Sequence, residues 1–307
     1  MIEKIQKNML NYRIQMYYYH RARDAMFDAV QQLFDDGYKD IFIPGYIGWS
    51  PREGSGIFDP LNKIMGLNRY YYRMTKDLAI DIEALKKNVH EKSILLIVNY
   101  FGFRDKQINT VIQIAKEKDC VVIEDNAHGF FTFFCKGSVG ADLTFFSLHK
   151  MFPFNEGGSL LLLNDKLAVH PKQNLEDFIE LIPFIYDING IARRRKENFK
   201  SLMALMKGNE DYFVPLKAIE DLVENVPQTF PIIIKRGNRD KIYEIMNERG
   251  YGVVSLYHTM IEELRNEEHG DACWLSKHIM NLPVHQDCDG TEYTNMIDAL
   301  REVCSLT

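Results

Sequence analysis

The stretch that decides the fold comprises residues 121–158, VVIEDNAHGFFTFFCKGSVGADLTFFSLHKMFPFNEGG. It begins with a short apolar run at 121–123, which ends in Glu124 and Asp125. Such a run indicates a strand that is buried on both faces, as the strands of parallel sheets are. Because ligands of open α/β sheets bind beyond the carboxyl ends of the strands, these two carboxylates lie where a binding site is expected.

Further polar side chains follow this run and the next one. His128 comes soon after the first run, and a second apolar run at 143–146 leads into Ser147, His149 and Lys150. A carboxylate, an imidazole, a hydroxyl and an amine are therefore predicted at the ends of neighbouring strands. Together these groups can hold a phosphorylated cofactor that carries a carbonyl group.

The segments before this stretch alternate between strands and helices. Apolar runs at 40–44 and 92–100 predict strands, and the helical spacing of the apolar residues at 106–118 predicts a helix before the run at 121–123. Strand, helix and strand joined by short connections are typical of a mostly parallel sheet flanked by helices, with right-handed crossovers.

The pattern changes after residue 164, where long apolar runs stop. An amphipathic segment at 176–185 is followed by helices that alternate with short strands, including one predicted at 253–257. We therefore predict a large α/β domain at 1–190 and a smaller C-terminal α+β domain at 191–307.

Composition excludes several classes of protein. The chain has 307 residues, a net charge of −6 and a pI of about 5.9, which argues against a general nucleic-acid surface. No apolar run approaches the roughly 20 residues that span a bilayer, and the N-terminus lacks the apolar core of a signal peptide. The five cysteines are scattered without CxxC spacing, so free thiols in a reducing cytoplasm are expected.

Lys150 and Asp125 carry the functional hypothesis. A single lysine is usually a solvated side chain, but Lys150 follows an apolar strand and has phenylalanines on both sides. Apolar surroundings lower the pKa of a lysine, and a neutral amine can bond to a carbonyl carbon. Asp125 is suited to pair with the ring nitrogen of pyridoxal phosphate (PLP), which makes the ring an electron sink. His128 could stack on such a ring or orient Asp125; alone it would be a half-buried turn histidine.

Two positions nearer the N-terminus have both a structural and a functional interpretation. The helical spacing of the apolar residues at 25–33 places residues 21–24, among them Arg23 and Asp24, at the start of a helix, where free N–H groups can bind a phosphate. Asp24 could equally do no more than complement the helix dipole. Trp49, in a loop rich in glycine and serine, could stack on a planar ligand or pack that loop on the core.

Competing uses of the same side chains have weaker support. The candidate metal ligands lack HxH or HExxH spacing, so no metal is predicted; they are Asp125, His128, His149 and Glu156. Ser147 and His149 resemble a nucleophile pair, but no GxSxG turn is present. The basic cluster RRRK at 193–196 is typical of a solvated helix face, although it could also position anions.

In order and spacing, these motifs resemble those of the DegT-type sugar aminotransferases, PLP enzymes of fold type I. The motifs are EDNAHG at 124–129, FSLHK at 146–150 and EGG at 156–158, with ARDAM at 22–26, IPGYIGW at 43–49, NYFGF at 99–103, RRRKEN at 193–198 and LPVHQ at 282–286. The resemblance covers nearly the whole chain.

The resemblance implies a role for each residue around the cofactor ring. Lys150 forms the covalent bond to the cofactor and shuttles protons, Asp125 pairs with the pyridine nitrogen, and His128 and Trp49 flank the ring.

It also implies how the cofactor phosphate is held. Ser147 and the backbone around Arg23 and Asp24 bind it, and Asn198 reaches the phosphate of a neighbouring subunit. The segment between Ser147 and Lys150 is two residues shorter than the family pattern, which puts the reach of Ser147 in question.

The function implied is transfer of an amino group from an amino acid, glutamate, to a keto-sugar nucleotide or a related carbonyl compound. The expected setting is sugar-nucleotide and polysaccharide biosynthesis by a cytoplasmic homodimer, with no nucleic-acid or membrane partner. Two alternatives stay open: other PLP chemistry on the same fold, such as that of a lyase or dehydratase, and a non-catalytic homologue that acts as a binding module.

Overall fold

The computed structural model describes residues 16–172, 183–254 and 256–307. The amphipathic segment predicted at 176–185 lies outside these ranges except for its last three residues.

A seven-stranded sheet forms the larger part of the molecule. Its strand order is β1-β7-β6-β5-β4-β2-β3. The strands from β6 to β3 run parallel to one another, whereas β7 is antiparallel to both β6 and β1. The mostly parallel sheet predicted from the sequence is confirmed. The strands are β1 Met16–Tyr19, β2 Asp40–Pro44, β3 Asn68–Tyr72, β4 Ile94–Val98, β5 Val121–Asp125, β6 Leu143–Ser147 and β7 Gly158–Leu162.

Helices connect these strands and cover the sheet. Helix α4 shows why they form, since its five buried residues recur at the spacing of one helical face and pack on the apolar strands. In α3 the side chain of Asp81 accepts a hydrogen bond from the Ala84 N–H and so caps the first turn. The helices are α1 Ala22–Asp35, α2 Phe58–Asn62, α3 Ile82–Asn88, α4 Ile108–Glu117 and α5 Phe130–Lys136.

The C-terminal part is built on a second, three-stranded antiparallel sheet with the order β10-β9-β8. Its elements are α6 Ile188–Ala204, β8 Phe213–Pro215, β9 Thr229–Ile234, α7 Arg239–Glu248, α8 Gly270–His278, β10 Ile279–Pro283 and α9 Tyr293–Leu306. Phe199 of α6 packs on Phe103, with ring centroids 5.7 Å apart, and on Phe230 of β9 at 4.5 Å. Because the apolar core continues through such contacts, the domain boundary at 190 stays a prediction.

The phenylalanines of the 121–158 stretch form a second apolar cluster. The Phe130 ring lies 5.4 Å from that of Phe146 and 5.0 Å from that of Phe152, both edge-on. This cluster packs against the turn that carries Lys150 and supports it.

Two local predictions were incomplete or wrong. Strand β1 was not predicted, because its pairing with β7 joins residues more than 130 positions apart and leaves no local signal. The strand predicted at 253–257 is wrong: among its described residues, only Val254 pairs, in an isolated bridge with Asn281. The backbone there turns at Gly252, where φ is +63°, and at Tyr257, where φ is +61°, so it is not extended.

Candidate active site

A cleft of about 680 Å³ opens at the carboxyl ends of β5 and β6. This is the position that the sequence predicts for a binding site in an open α/β sheet. Side chains from the predicted set that line it are Arg23, Trp49, Asp125, His128, Ser147 and Lys150.

Lys150 lines this cleft. Strand β6 is followed at once by a single tight turn, Leu148–Lys150, which is closed by a hydrogen bond from the Met151 N–H to the Leu148 carbonyl. The turn places the Lys150 Nζ 3.1 Å from His128 Nε2, so the shortened segment does not keep this lysine from the site.

Burial lowers the pKa of the Lys150 amine, and the negative charges of Asp125 and Glu53 oppose this only in part. Solvent reaches the side chain from the open cleft, while protein atoms surround the amine on its other sides. A lysine in this position is biased toward the neutral, nucleophilic form.

Asp125 ends β5 and is almost fully buried. Its Oδ1 accepts a hydrogen bond of 2.8 Å from the Ala127 N–H, and its other oxygen accepts none from any residue that the structure describes. Burial raises the pKa of Asp125 to about 6, although the Ala127 N–H and the charge of Lys150 work against it. A buried carboxylate with a free oxygen is suited to pair with a cationic ring N–H.

His128 lies between these two groups and a wall of aromatic rings. Its ring is stacked on Phe101, with centroids 6.1 Å apart, and meets Tyr257 edge-on at 6.0 Å. Burial holds the pKa of His128 well below its usual range, and a positive charge on Lys150 would lower it further, so the imidazole is neutral.

A polar network on the other face of β5 fixes the strand end that carries Asp125. Successive side chains of a strand point to opposite faces, so Glu124 points away from the cleft. Its Oε1 accepts a 2.7 Å hydrogen bond from Asn99 Nδ2 and lies 3.4 Å from the Arg104 Nε. Asn126 donates to Thr144 Oγ1 at 3.0 Å, which ties β5 to β6.

The start of helix α1 forms the opposite side of the cleft. Ala22 and Arg23 line it together with Ser147. The Ser147 hydroxyl lies 3.4 Å from His149 Nδ1. The Arg23 Nη1 donates a 2.9 Å hydrogen bond to the Glu53 carbonyl, which attaches the loop between β2 and α2 to the helix start.

The EGG motif at 156–158 has a structural role. The Gly157 N–H donates to the His20 carbonyl at 2.8 Å, and the Gly157 carbonyl accepts from the Leu148 N–H at 2.9 Å. Gly158 packs against Ala22 so closely that a Cβ would overlap the backbone there. The motif therefore holds the start of α1 beside the exit of β6.

Asp24 and Asn198 are not brought to the cleft. The Asp24 N–H already donates to the Arg21 carbonyl, and its side chain is exposed outside the cleft lining. Asn198 is buried in α6, where its Nδ2 donates to the His285 carbonyl at 2.8 Å. In place of Asp24, the backbone of Ala22 and Arg23 forms the candidate phosphate site.

Trp49 lies at the rim of the cleft and is 40% exposed. Its N–H donates to the Thr259 carbonyl at 2.8 Å, and the neighbouring Gly48 forms a β-bridge with Met260. The loop that carries Trp49 is thus attached to the C-terminal part of the chain.

Sequence reasoning missed Tyr257, which the C-terminal part contributes to the cleft wall. Its ring stacks on Tyr46 at 5.2 Å and meets Tyr100 edge-on at 5.2 Å. Arg52, which adds positive charge to the lining, was also missed as a cleft residue. Only the tertiary fold brings these residues together, and no local motif marks them.

The part of the chain that the structure describes lacks a metal-binding cluster and a membrane-spanning helix. No cluster of three or more His, Cys, Asp or Glu side chains there could hold a metal ion. None of the helices in residues 16–172, 183–254 and 256–307 has the length and apolarity needed to cross a membrane.

Comparison with protein families identifies the motif-bearing segment. Residues 73–174 match the model of the DegT/DnrJ/EryC1/StrS aminotransferase family. The resemblance to the DegT family is thereby confirmed. Its members are PLP-dependent aminotransferases, in agreement with the enzyme class and the cofactor predicted from the sequence. Comparison with curated protein sequences gives no match.

Several solved structures share the fold over almost the whole chain. E coli GDP-4-keto-6-deoxy-D-mannose-3-dehydratase with bound hydrated PLP has a TM-score of 0.67 at 18% identity, and the match covers 94% of this chain and 87% of that one. Helicobacter pylori PseC, an aminotransferase involved in the biosynthesis of pseudoaminic acid, has a TM-score of 0.69 at 16% identity, with 95% and 87% covered. An aminotransferase from Psychrobacter cryohalolentis has a TM-score of 0.72 at 14% identity, again with 95% and 87% covered. At these identities the match shows the fold, which is PLP fold type I.

Proposed function

We propose that this chain is a PLP-dependent aminotransferase that moves an amino group from glutamate to a keto-sugar nucleotide or a related carbonyl compound. The observation that carries the proposal is the convergence of Lys150, His128 and Asp125 in one cleft, with Lys150 Nζ 3.1 Å from His128 Nε2. The proposed setting is sugar biosynthesis in the cytoplasm, with the chain acting as a homodimer.

The residues of the cleft fit the three functional groups of PLP, which are its aldehyde, its ring nitrogen and its phosphate. Lys150 offers an amine of lowered pKa for the aldehyde, and Asp125 offers a buried carboxylate oxygen for the ring nitrogen. The start of α1 and Ser147 offer N–H and O–H donors for a phosphate, since the first N–H groups of a helix have no partner within it. Gly158 allows β7 to pack closely on the start of α1, because any side chain there would overlap the Ala22 backbone.

Each residue then has a defined task. PLP, when bound, supplies the electron sink that stabilises negative charge on a substrate carbon. Lys150 would bind the cofactor through Nζ and, after the amino donor takes that position, would hold or deliver a proton at Nζ. Asp125 would pair with the ring nitrogen and hold a proton there. His128 would limit the movement of the ring.

A second candidate reaction is dehydration on the same scaffold. One of the similar structures, from E coli, is a GDP-4-keto-6-deoxy-D-mannose-3-dehydratase. We favour amino transfer because Lys150 provides an amine that can carry protons in both half-reactions. A non-catalytic binding module is less well supported, because such a protein has no need for a buried Asp125 beside a lysine of lowered pKa.

The experiment that tests the proposal is product analysis with PLP, glutamate and a panel of keto-sugar nucleotides. Release of 2-oxoglutarate coupled to an amino-sugar product supports amino transfer. A deoxy-keto product that contains no new nitrogen would support the dehydratase instead. Lys150→Ala is the matched control and should produce neither compound.

A further inference from the structure

The backbone at Phe101 is unusual for a bulky residue. Phe101 lies in the turn after β4 with φ +59° and ψ +19°, the left-handed conformation that residues other than glycine seldom adopt. In this conformation its N–H donates to His128 Nδ1 at 3.3 Å, while its carbonyl accepts from the Gln228 N–H at 2.8 Å. Strain of this kind persists where the surrounding structure enforces it, and often at functional sites.

The hydrogen bond from Phe101 determines which nitrogen of His128 carries the proton. A neutral imidazole has one N–H donor and one acceptor nitrogen, and which is which follows from the partners. Because Nδ1 accepts from the Phe101 N–H, the proton of the neutral ring is on Nε2. Nε2 faces Lys150 Nζ at 3.1 Å, so the lysine must be the acceptor of this second hydrogen bond.

An ammonium group has no lone pair and cannot accept a hydrogen bond. We propose that the Phe101 N–H fixes His128 in the Nε2–H tautomer, and that His128 thereby holds Lys150 as a neutral amine in the cofactor-free protein. His128 is then a positioning residue that keeps the nucleophile ready for a carbonyl compound. This role of His128 rests on the proposed function, in which the Lys150 amine bonds to a carbonyl compound.

Charged and titratable groups from every neighbouring element also act on Lys150. Two carboxylates favour the ammonium form, one arginine and the burial of the amine oppose it, and the His128 hydrogen bond adds to that opposition. These neighbours are Asp125 at the end of β5, Glu53 in the loop after β2, Arg23 at the start of α1, and His149 in the Lys150 turn itself.

The first measurement is the tautomer of His128 in wild-type protein without PLP. The ¹⁵N chemical shifts of labelled imidazole nitrogens distinguish N–H from bare nitrogen, and the His128 signals are assigned by their absence from His128→Gln. Near neutral pH we expect a protonated Nε2 and an unprotonated Nδ1. The Nδ1–H tautomer, or a doubly protonated ring, would overturn the proposal.

The second measurement is the pH dependence of amine reactivity at Lys150. Cofactor-free protein is methylated with formaldehyde and cyanoborohydride over a pH series, and mass spectrometry quantifies the peptide that contains Lys150. In His128→Ala the donor is lost and water can enter, so the pKa should rise by about one unit, which slows the reaction roughly tenfold at a fixed lower pH. In His128→Gln the oxygen of the side-chain amide can accept from the Phe101 N–H and its nitrogen can donate to Lys150. The pH dependence of Lys150 methylation should therefore match that of wild type.

The outcomes separate this inference from the proposed function. Equal profiles for wild type, His128→Ala and His128→Gln would contradict it, even if the protein transfers amino groups. The expected tautomer and profiles would support it even in a protein without transferase activity, because no PLP is present. Should His128→Ala fail to fold, the wild-type ¹⁵N spectrum, assigned by comparison with His128→Gln, still decides the tautomer.

Discussion

The backbone of Gly158, the first residue of β7, packs directly on Ala22, the first residue of α1. A Cβ at this glycine would overlap the Ala22 amide nitrogen. Because β7 is antiparallel to β6, this contact brings the helix start to the strand end that carries Ser147. The candidate phosphate site is therefore assembled by a glycine that contributes no side chain.

The contact predicts the effect of a methyl group. Gly158→Ala should displace the start of α1 and weaken PLP binding about 10- to 100-fold, the equivalent of losing one hydrogen bond to a charged group. The measurement is PLP titration followed by absorbance. Gly270→Ala, where an added Cβ meets nothing within 4 Å, is the matched control and should bind PLP normally. Unchanged affinity in Gly158→Ala would show that the helix start does not hold the phosphate.

Asp125 is predicted to matter for chemistry more than for retention of the cofactor. In Asp125→Asn the cofactor should still attach to Lys150, but the ring nitrogen loses its anionic partner, so amino transfer should fall by about 100-fold or more. Single-turnover conversion of glutamate measures this loss. A variant that turns over at the wild-type rate would remove Asp125 from the role of ring partner.

The pKa of Asp125, raised to about 6 by burial, predicts a pH dependence of PLP binding. Below that pH the carboxyl is protonated in the cofactor-free protein, and pairing with a protonated ring nitrogen must release that proton. Affinity should therefore fall as the pH drops through about 6, by up to tenfold per unit. The cofactor phosphate also titrates in this range. The informative quantity is therefore the difference between wild type and Asp125→Asn in the slope of PLP affinity against pH. Equal slopes would contradict the assignment.

Asn198 is predicted to stabilise its own chain. A carboxylate cannot donate to the carbonyls of Val284 and His285, so Asn198→Asp should lower the free energy of unfolding by about 1–3 kcal/mol. Lys200→Ala, on an exposed position of the same helix, is the control for urea unfolding. If Asn198→Asp unfolds like wild type yet loses activity that mixing with Lys150→Ala protein restores, the shared-site role implied by the family resemblance would be correct instead.

The sequence predicted those parts of the site that local pattern encodes. Asp125, His128 and Lys150 were placed correctly in one cleft, because short apolar runs mark β5 and β6 and parallel strands end at one edge of a sheet. The tight turn after Ser147 was not predicted, yet it brings Lys150 into the cleft despite the shortened segment between these two residues.

Features that depend on distant pairing could not be predicted in this way. The partner of Asn198 lies 87 positions further along the chain, and Tyr257 enters the cleft from the C-terminal part. The antiparallel direction of β7 likewise follows from its pairing with β1 and β6, since an apolar run has no intrinsic direction.

The central claim is that Lys150 is the lysine that binds PLP. The most direct test is to incubate the purified protein with PLP, reduce it with borohydride, digest it and locate the added mass by peptide mass spectrometry. We predict a visible absorption band that reduction abolishes, and a phosphopyridoxyl adduct on the peptide that contains Lys150. An adduct on a different lysine, or none, would contradict the account.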